Sequence, residues 1–217
     1  APECAETVVA MSNGVDTDYF SSDPVRTSPF AGPSSKPEQI PVVFTGAMDY
    51  WPNIDAVTWF VRDILPRLRQ SWPQLRFYIV GRSPPQSVLA LASDSVVVTG
   101  TVSDVRPYLQ HAALVVAPLR VARGIQNKIL EAMAMGRPVV ASRSCAQAID
   151  ASCDELICAS GVSGFVREMD ALLKAPARAA AVGQSARLRV LESYSWSAHL
   201  GGIDRYLGET PPSRETV

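Results

Sequence analysis

Two ionisable side chains, Lys128 and Glu131, lie three residues apart in a segment that follows a glycine turn at Gly124. On a helix this spacing places them one turn apart, so a cation and a carboxylate can border the same pocket. A glycine turn that leads into a helix N-terminus also exposes backbone N–H groups and the positive end of the helix dipole, which favour a phosphate. The segment therefore predicts a site for a ligand that carries both a phosphate and hydroxyl groups. A sugar nucleotide has both.

Apolar strands alternate with helices along the chain, and these elements must position the two side chains. Strands are predicted at residues 41–46, 75–81, 96–100, 113–118 and 138–142. Helices are predicted at 53–69, 87–92, 105–111, 163–175 and 177–192, with Asn53 as the N-cap of the first. Two further helices are predicted, one in the segment that carries Lys128 and ends at Gly136, and one that runs from a cap at 194–197 to about residue 207. Strands that are apolar throughout and separated by helices are typical of a parallel sheet covered on both faces. The sequence therefore predicts an α/β, Rossmann-like fold.

Glycines follow or end three of these strands, at Gly46, Gly81 and Gly100. Ligands of open parallel sheets bind beyond the carboxyl ends of the strands, where a glycine lets the backbone come close. This edge of the sheet is therefore the predicted location of the site.

The composition indicates a domain with its own hydrophobic core and without the excess positive charge that would favour binding to polyanions. Of the 217 residues, 47% are hydrophobic and 19% are charged, and the formal net charge is −1. This balance argues against nucleic acid or an anionic membrane as a partner. No apolar run approaches the roughly 18 to 20 residues that span a bilayer, and the N-terminus lacks the pattern of a signal peptide. We therefore expect a cytoplasmic chain, or a cytoplasmic piece of one, without a transmembrane segment.

Several common active sites are absent from the sequence. Four cysteines at irregular spacing and two histidines make no metal-binding pattern, so no metal site is expected. There is no GxGxxG after the first strand, no P-loop and no GxSxG elbow, which argues against dinucleotide binding, P-loop chemistry and serine hydrolysis. Residues 1–39 contain a predicted strand at 7–11 and a proline- and serine-rich run at 21–39, so they are expected to precede a domain at 40–217.

Seven short motifs, in order along most of the chain, resemble the C-terminal half of a family-4 retaining glycosyltransferase of the GT-B fold. They are Asn13-Gly14-Val15-Asp16 with Phe20, Phe44-Thr45-Gly46 with Trp51-Pro52-Asn53, Ile79-Val80-Gly81-Arg82, Thr99-Gly100-Thr101-Val102 with Asp104, Pro118-Leu119-Arg120, the run Asn127-Lys128 to Ala141, and Tyr194-Ser195-Trp196. The variant at residues 49–53 most resembles bacterial sugar transferases of exopolysaccharide assembly.

The resemblance implies a division of labour between two domains. Such enzymes bind the nucleotide-sugar donor on this domain and the acceptor on an N-terminal domain, and catalysis takes place in the cleft between them. Residues 13–16 match the point where these enzymes cross from one domain to the other. The resemblance thus implies that 1–39 is the interdomain crossing and linker, that 40–217 is the donor domain, and that the acceptor half is missing. The chain alone would then be inactive, and any peripheral contact with a membrane would be made through the missing half.

The resemblance also implies a role for each matched residue. Glu131 matches the second glutamate of the family's E-x7-E motif and would accept hydrogen bonds from the ribose hydroxyls. Lys128 and the N–H groups of Gly124 and Ile125 would hold the diphosphate, compensating the charge of the leaving group.

Four further residues would complete the donor site. Thr101 and Val102 would line the base through backbone atoms, Gly46 would let the first loop approach the phosphates, and Arg82 would be a second cation. No metal or cofactor is implied, since GT-B enzymes generally need none and the nucleotide sugar is the substrate.

The sequence departs from the family pattern in two places. Arg123 occupies the position of the first motif glutamate, which contacts the donor sugar in relatives, so the catalytic residue and the sugar are left open. An arginine there could pair with a carboxylate on the sugar or with the diphosphate. The arginine and lysine that many relatives carry after the first strand are absent from residues 47–52, so Lys128, Arg82 and Arg123 would carry more of the phosphate charge.

The function expected from these features is donor binding in a retaining hexosyltransferase-type enzyme, which moves a sugar from a nucleotide diphosphate sugar to a glycan or lipid-linked acceptor in bacterial exopolysaccharide synthesis. Two alternatives stay open. One is a nucleotide-sugar epimerase on the same fold, which the transferase motifs disfavour. The other is a non-catalytic nucleotide-binding module, for which Arg123 is the main argument.

Overall fold

A computed structural model of the chain describes residues 13–30 and 39–200, so the strand predicted at 7–11 lies outside the described residues. The strands are β1 (Ile40–Thr45), β2 (Leu75–Val80), β3 (Val96–Gly100), β4 (Leu114–Ala117), β5 (Val139–Ser142) and β6 (Ile157–Ala159). The helices are α1 (Trp51–Trp59), α2 (Leu65–Ser71), α3 (Gln86–Leu89), α4 (Arg106–His111), α5 (Asn127–Ala134), α6 (Arg143–Ala146), α7 (Gly161–Lys174) and α8 (Pro176–Ser193).

The six strands form one parallel sheet in the order β3-β2-β1-β4-β5-β6. Every residue of β4 is buried, as are all but the first residue of β1. Both faces of the central strands are therefore covered, and the predicted Rossmann-like α/β fold is confirmed. The strand order reverses between β1 and β4, and such a switch point leaves a crevice at the carboxyl ends of the strands.

The register of the central strands brings their carboxyl ends side by side. Thr45 of β1 lies opposite Val80 of β2, and Val80 lies opposite Gly100 of β3. Gly46, the first residue after β1, donates its N–H to the Val80 carbonyl at 3.0 Å. A Cβ atom on Gly81 would lie 1.7 Å from the Gly46 carbonyl oxygen, so only glycine permits this approach of the two loops.

The helix predicted at 53–69 begins earlier and is interrupted. The structure begins α1 at Trp51 with Tyr50 as the N-cap, so the prediction of Asn53 as N-cap is wrong. Pro52 occupies the first turn, where the N–H that proline lacks would be unpaired in any case. A π-helical turn at Phe60–Ile64 then separates α1 from α2, in which Pro66 is the second residue. Proline cannot donate to the carbonyl four residues earlier, which explains the wider turn before it.

The helices cover the two faces of the sheet. The π-helical turn and α2 pack against α7, whereas α5 packs against α8. Aromatic contacts stabilise the first face, where the rings of Phe60 and Phe77 lie 4.3 Å apart and those of Trp59 and Phe165 lie 5.6 Å apart. Among the described helices, none is long and apolar enough to pass through a bilayer.

Residues 13–30 run across the domain along α4 and the end of α8. Val15 donates its N–H to the Tyr194 carbonyl at 2.8 Å, and the Asp23 N–H and carbonyl bond to the Gln110 side chain on α4. His111, also on α4, bonds through Nε2 to the Arg26 carbonyl at 2.8 Å. The described part of the predicted linker is therefore attached to the domain by several hydrogen bonds.

Two short elements are absent from the sequence-based prediction, α6 and the edge strand β6. Each is three or four residues long, and Cys158 in the middle of β6 is exposed. At the other end of the chain, residues 196–200 are helical and the Ser195 hydroxyl accepts the Ala198 N–H at 3.1 Å, as a capping serine does. The rest of that predicted helix lies outside the described residues.

Candidate donor site

An open cleft of about 640 Å³ lies at the carboxyl ends of β1, β2 and β3 and the N-terminus of α5. It is lined by Asn13, Thr45, Gly46, Ala47, Tyr50, Asn53, Val80, Gly81, Arg82, Thr101, Val102, Val105, Ile125, Gln126, Asn127, Lys128 and Glu131. Seven of the predicted site residues are among them: Gly46, Arg82, Thr101, Val102, Ile125, Lys128 and Glu131. The sheet register and the start of α5 bring these residues together from four separate parts of the chain.

Lys128 is held in a defined position on the first turn of α5. Its Nζ atom donates to Asn53 Oδ1 at 2.5 Å and lies 4.1 Å from the centre of the Phe44 ring. Burial lowers the pKa of Lys128 to about 8, although Cys145 and Glu131 act in the opposite direction. No carboxylate of the described residues lies within ion-pair distance of it, so its charge is available to an anion in the cleft.

Glu131 lies one turn further along α5, and its carboxylate has no hydrogen bond or ion pair within the described part of the chain. Burial raises its pKa, and the nearby charge of Lys128 lowers it by less. An unpaired carboxylate in a partly buried position costs free energy unless a ligand supplies donors. The Thr45 hydroxyl, which is buried in the same cleft, also has no partner among the described residues.

The N-terminus of α5 faces the same cleft without a side-chain cap. The first N–H groups of a helix have no partner inside it, and they carry the positive end of the dipole. Asn127, the first residue of α5, accepts a hydrogen bond from the Asn13 amide at 3.0 Å. The segment before β1 thus forms one wall of the cleft, and Tyr50, 57% exposed, forms part of another.

The loop from 120 to 126 places two predicted residues outside the cleft. Arg123 and Gly124 do not line it, and Arg123 is exposed with no side-chain partner among the described residues. The Gln126 amide donates to the carbonyls of both residues, at 3.2 and 3.3 Å, and so fixes the turn beneath them. The roles predicted for Arg123 and Gly124 in donor binding remain predictions.

Gly46 borders the cleft in a way that its predicted role did not include. A Cβ atom at this position would lie 2.8 Å from Lys128 Nζ and 2.9 Å from Asn53 Nδ2. Real Cβ atoms essentially never come this close to other atoms, so glycine at this position leaves room for both side chains. Its expected approach to the phosphates remains a prediction.

Ten residues of the cleft wall were absent from the predicted site, and Asn13, Tyr50, Asn53 and Asn127 are among them. All four stand in segments that carry the family resemblance, but the sequence-based prediction gave none of them a contact with the ligand. The described residues contain no group of three potential metal ligands, so nothing in this part of the chain suggests a metal centre.

Residues 39–175 match the sequence model of the family described as glycosyl transferases group 1. No curated protein matches the sequence. The chain is similar to HepE of Anabaena, solved in complex with UDP-glucose, at 17% identity and a TM-score of 0.73 over 94% of this chain and 58% of that chain. It is also similar to a glycosyltransferase from Rickettsia africae, at 15% identity and a TM-score of 0.73 over 96% of this chain and 59% of that one.

A shorter structure matches along its whole length. The C-terminal domain of a glycosyl transferase group 1 family protein (LpcC) from Francisella tularensis is 16% identical, with a TM-score of 0.61 over 84% of this chain and 100% of that chain. Identities this low show a shared fold. The chain spans less than two thirds of the length of the Anabaena and Rickettsia proteins.

Proposed function

Because the chain belongs to the glycosyl transferases group 1 family, we propose that it is the donor-binding domain of a retaining glycosyltransferase. The donor is a nucleoside diphosphate sugar, and an N-terminal domain holds the glycan or lipid-linked acceptor. UDP is the first nucleotide to test, because HepE was solved with UDP-glucose. A role in bacterial exopolysaccharide synthesis belongs to the same proposal and rests on the resemblance of residues 49–53 to such transferases.

One observation carries the proposal: the cleft contains a cation and a carboxylate that do not pair with each other. Lys128 is bonded to neutral Asn53, and Glu131 has no partner among the described residues. A nucleoside diphosphate satisfies both, because its phosphates accept from the ammonium and its ribose hydroxyls donate to the carboxylate. The helix N-terminus next to Lys128 favours the same anion.

The remaining cleft residues fit the other parts of this ligand. Val102 and Thr101, directly after β3, form a wall that suits a flat base, and Arg82, after β2, adds a second positive charge at the mouth. The proposed base contacts are made chiefly through backbone atoms.

The chemistry that this arrangement supports is stabilisation of a leaving group. When the bond between the anomeric carbon and the phosphate oxygen breaks, the electron pair stays on the diphosphate. The Lys128 ammonium and the free N–H groups of α5 face that charge and lower the barrier to its formation. Catalysis would still need the acceptor and its domain.

Isothermal titration calorimetry on this chain tests the proposal. We expect UDP or another nucleoside diphosphate to bind, pyrophosphate to bind more weakly, and the unphosphorylated nucleoside to bind weakest. Lys128→Ala and Glu131→Ala should each reduce the affinity for the nucleoside diphosphate. If no nucleotide in a panel of bases binds, the proposed function is wrong.

A non-catalytic nucleotide-binding module is the second candidate, and the exposed position of Arg123 outside the cleft favours it. Arg123→Glu in a protein that also carries the acceptor domain separates the two. In a specialised transferase, the rate of sugar transfer would be unchanged or lower in Arg123→Glu. If the wild type is inactive and only Arg123→Glu transfers sugar, the site has lost its function.

A further inference from the structure

Asn53 is the least exposed polar side chain of the cleft that contacts a charged group. It is 5% exposed and lies in the first turn of α1. Its Nδ2 donates to the Ala47 carbonyl at 2.8 Å, and its Oδ1 accepts from Lys128 Nζ at 2.5 Å. The side chain thus connects the loop after β1 to the first turn of α5.

The chemistry of the two partners fixes which way the amide faces. The Ala47 carbonyl needs a donor and the Lys128 ammonium needs an acceptor, so only one orientation satisfies both. Aspartate could not donate to Ala47 and would neutralise Lys128. Alanine would take this partner from the ammonium and would leave the Ala47 carbonyl only the Tyr50 N–H at 3.4 Å, which costs free energy chiefly at Lys128.

The surroundings leave the ammonium of Lys128 little freedom. The Phe44 ring lies 4.1 Å from Nζ, and the place of a Gly46 side chain is occupied by Nζ and the Asn53 amide. Because Asn53 is uncharged, it holds Nζ without cancelling its charge. The lysine is therefore positioned before any anion arrives.

We propose that Asn53 is a positioning residue, which holds the Lys128 ammonium beneath Gly46 so that it meets the diphosphate of the donor. This rests on the proposed function, because it assumes that a diphosphate occupies the cleft. A consequence is that Asn53 also governs the fraction of Lys128 that is protonated before binding.

The groups that act on the charge of Lys128 come from several elements. Glu131 lies on α5 itself and Cys145 on α6, and both favour the protonated lysine. Burial raises the pKa of the Cys145 thiol, so Cys145 adds negative charge near Lys128 only at high pH, whereas the Glu131 carboxylate acts on it at neutral pH as well. Arg82 lines the same cleft after β2, and Asn53 on α1 and Phe44 on β1 are neutral.

Substitutions of Asn53 in opposite electrostatic directions test the role. Nuclear magnetic resonance can follow the titration of Lys128, since the chain has only two other lysines, Lys36 and Lys174. We expect the midpoint, about 8 in the wild type, to fall in Asn53→Ala, which removes an acceptor, and to rise in Asn53→Asp, which adds a charge.

Binding of a nucleotide sugar gives the second readout. At pH 8.5 we expect Asn53→Ala to bind about tenfold more weakly than the wild type, with a smaller loss at pH 7. Asn53→Asp should bind weakly at both pH values, because its carboxylate competes with the phosphate. Gly46→Ala is a second variant for the case in which Asn53→Ala folds poorly. It keeps Asn53, but the added Cβ displaces the Asn53 amide and Lys128 Nζ, so we expect nucleotide-sugar binding to weaken as predicted for Asn53→Ala.

A purely structural role predicts different results. Asn13→Asp is the matched control, because it adds the same charge to the cleft wall at an amide that bonds to Asn127 and not to Lys128; its Lys128 midpoint should move less than that of Asn53→Asp. Unchanged midpoints in both Asn53 variants, with nucleotide binding intact in the wild type, would overturn the positioning role alone. Failure of the wild type to bind any nucleoside diphosphate would overturn the proposed function and the positioning role together.

Discussion

Lys128 and Arg123 both lie within eight residues before Glu131 along the chain, and their surroundings differ strongly. Lys128 is bonded to Asn53, lies over the Phe44 ring and lines the cleft. Arg123, five residues earlier, is exposed, has no side-chain partner in the described residues and lies outside the cleft. The sequence suggested both as ligands of the same phosphates.

The difference shows how a positive charge becomes a binding group. An exposed arginine must lose side-chain entropy to meet an anion, and water screens its charge. A lysine that neighbouring groups already hold in a partly buried cleft has lost that entropy on folding, and its interaction with an anion is screened less. We therefore expect the two residues to differ strongly in their effect on donor affinity.

Replacement of Lys128 tests the stronger side of this comparison. Lys128→Met keeps an unbranched chain over Phe44 but removes the charge. We expect affinity for UDP and for pyrophosphate to fall about 100-fold, or by about 2.7 kcal/mol, as measured by calorimetry. The unfolding temperature should change by less than about 4 °C, since a charge that burial disfavours has been removed. An unchanged affinity would mean that Lys128 does not contact the phosphates.

Glu131→Ala asks whether the second charge of α5 binds a different part of the ligand. We expect about 30-fold weaker binding of UDP, or about 2 kcal/mol, because the hydrogen bonds from the ribose are lost. Pyrophosphate has no ribose, so its affinity should not fall. Equal losses for both ligands in calorimetry would contradict the assignment of Glu131 to the ribose.

The pH dependence of binding distinguishes a titrating lysine from an arginine. Burial lowers the pKa of Lys128 to about 8, and only the protonated form attracts a diphosphate. Affinity for a nucleotide sugar should therefore be full below that value and fall about tenfold between pH 7 and pH 9. Lys128→Met should abolish this decline. A decline that persists in the variant would belong to another group.

The affinity for a nucleotide sugar should also depend on pH in the acidic range. Burial raises the pKa of Glu131, so this carboxylate becomes protonated at a higher pH than an exposed one and can then accept less strongly. Affinity should decrease as the pH falls through that raised pKa, and Glu131→Gln should remove this decrease.

Arg123→Ala is expected to have the smallest effect. Since the side chain is exposed and outside the cleft, the affinity for UDP should change less than about twofold. Arg82→Ala is the matched control, because Arg82 is also exposed but lines the cleft, and we expect a loss of about threefold. A larger loss for Arg123 than for Arg82 would show that the loop at 120–126 folds over the bound donor.

Much of the fold follows from local patterns. The apolar runs of β1 to β5 and the glycines after the first two strands are visible in the sequence, and they place the site at the carboxyl edge. The sequence-based prediction missed β6 because a three-residue edge strand has too little pattern to recognise. It placed the start of α1 at Asn53 because asparagine is a good N-cap by type, whereas the structure uses that side chain to hold Lys128.

By itself, the sequence determined the class of the sheet, the edge that carries the site and the charges at Lys128 and Glu131, because these depend on hydrophobic periodicity and on residue type. Only the tertiary structure decided that Lys128 pairs with Asn53, 75 residues away, that Gly46 makes room for both, and that Arg123 lies outside the cleft. Such pairings depend on how separate loops meet at the end of the sheet, and no local pattern records that.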